Sequence, residues 1–232
     1  MRAPTGADWA AALAALDERG HAVLPGLLDA GECRGLAGLY DDSTAFRSRV
    51  VMARHNYGSG EYKYLRYPLP PLVAELRESL YPRLAPLANR WHERMRLEAR
   101  FPDTLGAYLQ RCHSAGQQRP TPLILKYGEG DFNCLHQDLY GELVFPVQAT
   151  VLLTAPKDDF TGGEFLLVEQ RPRMQSRAEI VPLGQGDAVV FAVRHRPVAG
   201  TRGDYRAAMR HGVSRVRSGR RFTLGVIFHD AA

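Results

Sequence analysis

The sequence predicts one mainly β domain whose strands follow an N-terminal region rich in helix. Its 232 residues suit a single large domain. Apolar residues make up 45% of the chain and charged residues 24%, as in ordinary globular proteins. After Pro120, short apolar runs alternate with turn pairs that contain glycine, and no helical pattern lies between them. Several short strands without intervening helices indicate a sandwich or barrel.

The N-terminal half alternates helical and extended patterns. The stretch 46–71 is rich in Tyr, Arg and Gly, which predicts irregular structure or a surface hairpin. The regular elements expected here are a helix over 7–18, a strand from His21 to Leu28 broken at Pro25-Gly26, a helix from Asp29 to Tyr40, and a helical segment over 72–98 with interruptions at Pro82 and Pro86.

This change of pattern divides the chain into two parts. Residues 1–115 are expected to form a helical support region, and residues 116–232 a strand-rich core. Neither a linker nor an internal repeat separates the two parts. We therefore expect them to pack as one structural unit.

The cysteines and the N-terminus bear on the cellular compartment in which the protein is expected. Cys33, Cys112 and Cys134 are widely spaced and include no CxxC pair, which argues against a disulfide framework and a zinc finger. A reducing cytoplasm fits this usage best. The N-terminus lacks the apolar segment of a signal peptide. No apolar run approaches 18 residues, so no membrane span is expected.

The charge is basic and consists almost entirely of arginine. The formal charge is +5, and only three of the 30 basic residues are lysines. Arginine favours planar, bidentate contact with carboxylates and phosphates. A compositional bias explains the same numbers, so the charge carries modest weight as a sign of an anionic partner. The oligomeric state is left open.

An HxD pair stands at the centre of the strand-rich part. His136 and Asp138 are two residues apart, so in an extended segment both side chains face the same side. With a distant second histidine they would form a two-histidine, one-carboxylate face, which leaves open positions on iron. The pair alone is weak evidence, because composition predicts about 0.45 such pairs by chance (8 × 13/232).

The residues around this pair form a longer pattern. His211 lies 75 residues downstream, Arg221 ten residues after it, and Thr223 two residues after Arg221. Tyr127 lies nine residues before His136. A given position is arginine only about 0.12 of the time in this chain, so the combination is a poor candidate for accident.

These segments resemble the Fe(II)/2-oxoglutarate-dependent dioxygenase superfamily, with its double-stranded β-helix (jelly-roll) core. KYGEGDFNCLHQD is similar to both prolyl-hydroxylase-type and AlkB-type sequences. The interval of ten from His211 to Arg221 is closer to the prolyl-hydroxylase type. TGGEF fits the turn before the fourth core strand. The resemblance covers about residues 120–230 and implies a jelly roll preceded by an α-rich region.

The resemblance also implies a reaction and roles for residues. Iron(II) would be held by the HxD pair and His211, and Arg221 would bind the distal carboxylate of 2-oxoglutarate. Thr223 and Tyr127 would reach the same carboxylate, although a core tyrosine is an equal interpretation of Tyr127. Oxygen and 2-oxoglutarate would be consumed as a C–H bond is hydroxylated. Because Asp138 is present, the resemblance favours hydroxylation over halogenation.

Further residues are candidates for substrate contact. Their arginines lie in two segments, 171–177 and 194–210, which we expect to form one basic rim around the iron. A solvated face is the alternative. The candidates are Arg171, Arg173, Arg177, Arg202, Asp204, Tyr205, Arg206 and, beside the HxD pair, Tyr140. His55, His195 and His229 are expected in loops or at the surface, and Cys134 in the core.

Three functions fit these observations. The first is an oxygenase acting on a macromolecule, with nucleic acid and protein equally supported. The second is a hydroxylase of a small metabolite. The third is a non-catalytic jelly-roll or cupin-like binding module, which the presence of Arg221 and Thr223 beside the three candidate ligands disfavours.

Overall fold

A computed structural model describes residues 8–201 and 203–232 of the chain. The expectations for the first seven residues and for Arg202 lie outside this part. The helices are α1 (Trp9–Arg19), α2 (Ala30–Gly38), α3 (Pro71–Arg94) and α4 (Leu105–Ser114). The strands are β1 (His21–Leu24), β2 (Phe46–Val51), β3 (Gly58–Ser59), β4 (Glu61–Leu65), β5 (Leu123–Tyr127), β6 (Phe132–His136), β7 (Val147–Leu152), β8 (Phe160–Gly162), β9 (Phe165–Gln170), β10 (Arg177–Val181), β11 (Ala188–Ala192), β12 (His195–Gly200), β13 (Gly203–Val213), β14 (Val216–Gly219) and β15 (Arg221–Val226).

Two antiparallel sheets form the core. The major sheet has the order β1-β11-β7-β15-β5-β4-β2, and the minor sheet the order β10-β9-β13-β6-β3 with β12 paired to β13. Their inner faces pack together, as where the ring centroids of Phe165 and Phe191 lie 5.1 Å apart. The predicted fold class, a double-stranded β-helix preceded by helices, is confirmed.

Helix α3 continues through both of its prolines. The predicted interruptions at Pro82 and Pro86 are therefore wrong. Both prolines are exposed and lie four residues apart on the solvent side, where water can bind the carbonyl groups that they leave unpaired. The opposite face buries Leu84 and Trp91 in the main core. This burial stabilises the helix enough to offset the two missing hydrogen bonds.

The tyrosine-rich stretch after residue 46 forms a hairpin that belongs to the major sheet. Strand β2 pairs with β4, and β4 pairs in turn with β5. Tyr64 and Leu65 are buried, so the hairpin is more than a surface feature. The alternative of irregular structure is wrong for most of this stretch. Helix α4 has no counterpart among the predicted elements.

The largest hydrophobic core draws on both halves of the chain, from Leu16 to Phe228. The boundary at residue 115 stays a prediction. Cys33, Cys112 and Cys134 are free thiols. Within the described residues, no helix is both long and apolar enough to cross a membrane.

Candidate active site

The three predicted metal ligands meet between the two sheets. His136 ends β6 and is in register with His211 on β13. Asp138 follows two residues after His136, and its carboxylate oxygens lie 3.4 Å from Nε2 of His136 and 3.3 Å from Nε2 of His211. One ligand atom from each residue lies within 4.8 Å of the others. Two imidazole nitrogens and one carboxylate therefore converge on a point that one metal ion could occupy.

Neighbouring groups fix the orientation of these ligands. Nδ1 of His136 lies 2.8 Å from the carbonyl oxygen of Cys134, which can only accept. Nδ1 must donate, and this leaves Nε2 of the neutral ring free to bind a metal. Asp138 accepts hydrogen bonds from the hydroxyl of Tyr140 at 2.9 Å and from Nε2 of Gln148 at 2.8 Å. Gln148 was not among the site residues predicted from the sequence. The one sign of its role there is that its polar amide interrupts the apolar run of β7.

The electrostatics favour an ionised Asp138 and a neutral His211, whereas His136 would have to release a proton as a cation binds. Burial opposes ionisation of Asp138, but hydrogen bonds with His136 and His211 outweigh it and hold the pKa of the carboxyl well below its usual range. Burial lowers the pKa of His211, and the neighbouring His136 lowers it further. Burial also opposes protonation of His136, but the contact with Asp138 outweighs it and raises the pKa of that ring. An ionised carboxylate and a neutral imidazole are the forms that coordinate metal.

A cavity of about 240 Å³ opens beside the three ligands. Its walls come from both sheets and from the segment that follows Asp138. Tyr57 and Leu139 are exposed at its edge. The other side chains that matter below are Tyr62, Tyr127, Asn133, Tyr140, Gln148, Thr150, Phe165, Arg221 and Thr223.

Arg221 lies in this cavity without an ion-pair partner among the described residues, although the nearby Glu164 attracts its charge. The residue is only 1% exposed, and its guanidinium carbon lies 5.5 Å from the ring centroid of Tyr127 on the neighbouring strand. Its Nε and Nη1 have no hydrogen-bond partner among the described residues. Burial lowers the pKa of Arg221 to about 10, so the side chain is still charged at neutral pH. A buried cation with free donors is a ready site for an anionic ligand.

Two further predicted cosubstrate residues lie beside Arg221. Thr223 is two residues along β15, is buried, and lines the cavity. Tyr127 is fully buried, and its hydroxyl accepts a hydrogen bond from Asn133 at 3.3 Å. Burial raises the pKa of Tyr127 to about 12, which keeps its hydroxyl protonated. Tyr127 is thus both a core residue and a cavity residue.

None of the described arginines that were predicted to form a basic rim lines the cavity. Nε of Arg171 pairs with the carboxylate of Glu169 at 2.6 Å. Arg206 donates to the carbonyl oxygen of Met95 at 2.7 Å and faces a different depression. Arg173 and Arg177 are exposed, and none of these four arginines lines the cavity. Arg171 and Arg206 are directed to partners outside the cavity, and Arg173 and Arg177 point to solvent.

Several other polar residues lie elsewhere than expected. His229 lies in a bend after β15, so its predicted loop location is confirmed, but it is 1% exposed and its Nδ1 accepts from the backbone N–H of Phe145, so the surface alternative is wrong. Cys134 is exposed, so its predicted core location is also wrong. His195 is half-buried on β12, and His55 is exposed as expected. None of these residues joins the three-ligand cluster.

Comparisons with known proteins identify the class. A model of the Oxygenase-NA family, described as "Oxygenase, catalysing oxidative methylation of damaged DNA", matches residues 60–231. Two uncharacterized proteins from strains of Mycobacterium tuberculosis are each 53% identical to the chain over 165 residues, which is 71% of this chain and 71% of theirs.

Solved structures share the fold at low sequence identity. A prolyl-4-hydroxylase from Pseudomonas putida has a TM-score of 0.54 and 17% identity, over 94% of this chain and 96% of its own. An oxidoreductase of the 2OG-Fe(II) oxygenase family from Burkholderia pseudomallei has a TM-score of 0.53 and 17% identity, over 98% and 94%.

Fold and site together define an oxygenase of the 2-oxoglutarate/iron(II) superfamily. More narrowly, the chain belongs to the Oxygenase-NA family, whose model covers most of its length.

Proposed function

We propose that the protein is an Fe(II)- and 2-oxoglutarate-dependent oxygenase that hydroxylates a C–H bond of a nucleic acid. The observation that carries this proposal is a shared cavity. It contains both the three-ligand cluster of His136, Asp138 and His211 and the unpartnered guanidinium of Arg221. A metal site and a carboxylate site side by side are what oxidative decarboxylation of 2-oxoglutarate to succinate requires.

The donor set fits iron(II). Two imidazoles and one carboxylate on a single face suit non-haem iron and leave positions open for other ligands. Bound iron would supply the activation of oxygen. The chain's contribution is orientation, because Gln148 and Tyr140 hold the Asp138 carboxylate while the Cys134 carbonyl sets the ring of His136.

The other end of the cavity fits the distal carboxylate of 2-oxoglutarate. The free donors of Arg221 would hold it as a charge-assisted pair in a site shielded from water. The hydroxyl of Thr223 would donate from the same strand face, and Tyr127 would close the site from β5. These residues bind and position the cosubstrate, and they exclude water from it.

Nucleic acid is the substrate class that we favour. The family is described as acting on damaged DNA, and the chain is basic. The exposed ring of Tyr57 stacks on His55 at the cavity edge, with centroids 5.4 Å apart, and offers an aromatic surface for a base. A base would have to leave its stack to enter the cavity. Hydroxylation of an N-methyl carbon releases that carbon from the base, so hydroxylation and demethylation share one C–H step.

The test is a succinate-release screen with iron(II), oxygen and 2-oxoglutarate. Methylated single-stranded oligonucleotides, peptides and small metabolites are compared in parallel. We expect oligonucleotides to stimulate succinate release and His136→Ala to abolish it. Stimulation only by peptides or by metabolites would replace the nucleic acid assignment with a protein hydroxylase or a metabolite hydroxylase.

Metal binding is measured separately by calorimetry with Mn²⁺. His136→Ala should lose binding, and His195→Ala, which removes a histidine outside the cluster, should retain it. If the wild-type protein binds neither Mn²⁺ nor 2-oxoglutarate, the chain is a non-catalytic jelly-roll module instead.

A further inference from the structure

A second cavity lies next to the catalytic cavity and is strongly basic. Its volume is about 520 Å³. Leu139, one residue after the Asp138 ligand, lines both cavities and so forms part of the wall between them. We call the second cavity the basic depression and define it by six of its lining residues: His92, Arg100, Arg111, Arg194, His195 and Arg206.

These six residues come from distant parts of the chain. Arg100 follows the C-terminal end of α3, and Arg111 lies in the last turn of α4. Arg194 lies between β11 and β12, and Arg206 lies on β13. The segment that follows Asp138 contributes the wall that faces the catalytic cavity. The depression therefore forms only where the helical region meets the jelly roll.

Among the described residues, the basic depression carries more positive than negative charge. None of the four arginines has an ion-pair partner in the described part of the chain, and all four are exposed. Glu142 is the one carboxylate among the lining residues. By contrast, Arg94 and Arg196 nearby are paired with Asp204 and Glu169.

The pKa values of the two histidines are lowered in part by the same positive charges. Burial lowers the pKa of His92, and the charges of Arg100 and Arg206 lower it further. Burial likewise lowers the pKa of His195, with added effects of Arg194 and Arg206. Both rings therefore resist protonation and remain neutral hydrogen-bonding groups beside the guanidinium groups.

We propose that the basic depression binds backbone phosphates of the nucleic acid strand whose base enters the catalytic cavity. Exposed, unpaired arginines beside neutral imidazoles suit phosphate oxygens, which take planar, bidentate donors. The shared Leu139 wall places a phosphate in the depression next to a base at the metal site. This inference rests on the proposed function and assigns a role to Arg206 that differs from a rim around the iron.

The experiment measures binding of a labelled single-stranded oligonucleotide by fluorescence anisotropy across a salt series. The test variant combines Arg111→Gln, Arg194→Gln and Arg206→Gln, because glutamine keeps an amide donor for the backbone contacts of Arg111 and Arg206. The matched control combines Arg34→Gln, Arg90→Gln and Arg177→Gln, which removes the same charge from exposed residues that line neither cavity.

Loss of three phosphate contacts should make the slope of log affinity against log salt shallower by about 2 and lower affinity about 100-fold at 0.1 M salt. The control should retain near wild-type values. An equal loss in the control would overturn the proposal, because diffuse charge would then explain binding. Binding of inorganic phosphate without binding of the strand, or equal binding of an acidic peptide, would overturn it as well.

Wild-type binding of Mn²⁺ and 2-oxoglutarate is measured on the same preparation. If both bind while the oligonucleotide does not, the phosphate assignment fails alone. If neither binds, the oxygenase function fails first.

Discussion

Two arginines of equal burial have opposite surroundings in this protein. Arg77 and Arg221 are each 1% exposed. Arg77 donates to the carbonyl oxygen of Ile227, to the hydroxyl of Tyr67 and to the carboxylate of Asp230. Arg221 faces aromatic rings, and two of its nitrogens have no partner in the described part of the chain.

The difference separates a structural charge from a binding charge. Burying a cation is costly unless an anion and hydrogen bonds compensate it. Arg77 has that compensation within the chain. For Arg221 the chain supplies only the attraction of the nearby Glu164, and we propose that a ligand carboxylate in the cavity provides the rest. His229 is a third case, because burial lowers its pKa to about 4 in spite of the nearby carboxylates of Asp138 and Asp230, and the ring stays neutral.

The largest effect is expected for Arg77→Met. The change removes the guanidinium from the Asp230 carboxylate, which is 0% exposed, and leaves it only the contacts with His113 and Tyr67 among the side chains described. The free energy of unfolding should fall by about 3–5 kcal/mol, measured by urea denaturation. Adding Asp230→Asn should recover part of the loss, because the buried charge is then removed. If the single variant is as stable as wild type, the pair is not structural.

Arg221→Met should weaken ligand binding and not stability, which is the opposite of the result expected for Arg77→Met. The ligand-free protein should keep its stability or gain some, since an uncompensated buried charge disappears. Affinity for 2-oxoglutarate should fall by about 2–5 kcal/mol, or about 30-fold or more, with Mn²⁺ binding retained. Calorimetry measures both. Arg220→Met is the matched control, because Arg220 is the exposed neighbour on the chain. A loss of affinity in the control alone would transfer the role to Arg220.

His229 predicts a dependence of stability on pH. Its folded pKa of about 4 lies below the unfolded value, so the unfolded state binds more protons between the two. This contribution is fully present above about pH 6.5 and is lost as pH falls through 4, by about 3 kcal/mol in all.

His229→Asn keeps an acceptor for the Phe145 N–H and cannot titrate. Its unfolding free energy should therefore decline less than that of wild type between pH 6.5 and pH 4. The exposed His55→Asn is the control. Parallel pH profiles for His229→Asn and wild type would show that His229 does not resist protonation.

The smallest effect is expected for Thr223→Val. This nearly isosteric change removes one hydroxyl beside Arg221 and should weaken the binding of 2-oxoglutarate by about 0.5–1.5 kcal/mol. Unchanged affinity, measured by the same calorimetry, would mean that the Arg221 guanidinium binds the carboxylate without help from Thr223.

Much of the fold and of the candidate site could be predicted because strands have simple rules. Side chains two residues apart share a face, which brings His136 and Asp138 together and likewise Arg221 and Thr223. Alternating apolar runs and glycine turns predicted the strands of the core. Spacing along strands is local information, and the sequence carries it directly.

Contacts between distant segments could not be predicted in this way. Gln148 supports Asp138 from β7, and its position does not follow from a local period. The same holds for Arg196 on β12, which pairs with Glu169 on β9. Helix α3 shows a related limit, since burial of one face overrides the local effect of two prolines.

By itself, then, the sequence determined the class of fold, the identity of the three candidate metal ligands and the arginine expected to bind the cosubstrate. Only the tertiary structure decided which charges are compensated. It paired Arg77 and left Arg221 free, buried His229, and brought Arg100 and Arg111 of the helical region beside Arg206 of the jelly roll. The physical reason is that compensation of a charge depends on distance in space, and folding joins residues that the chain keeps far apart.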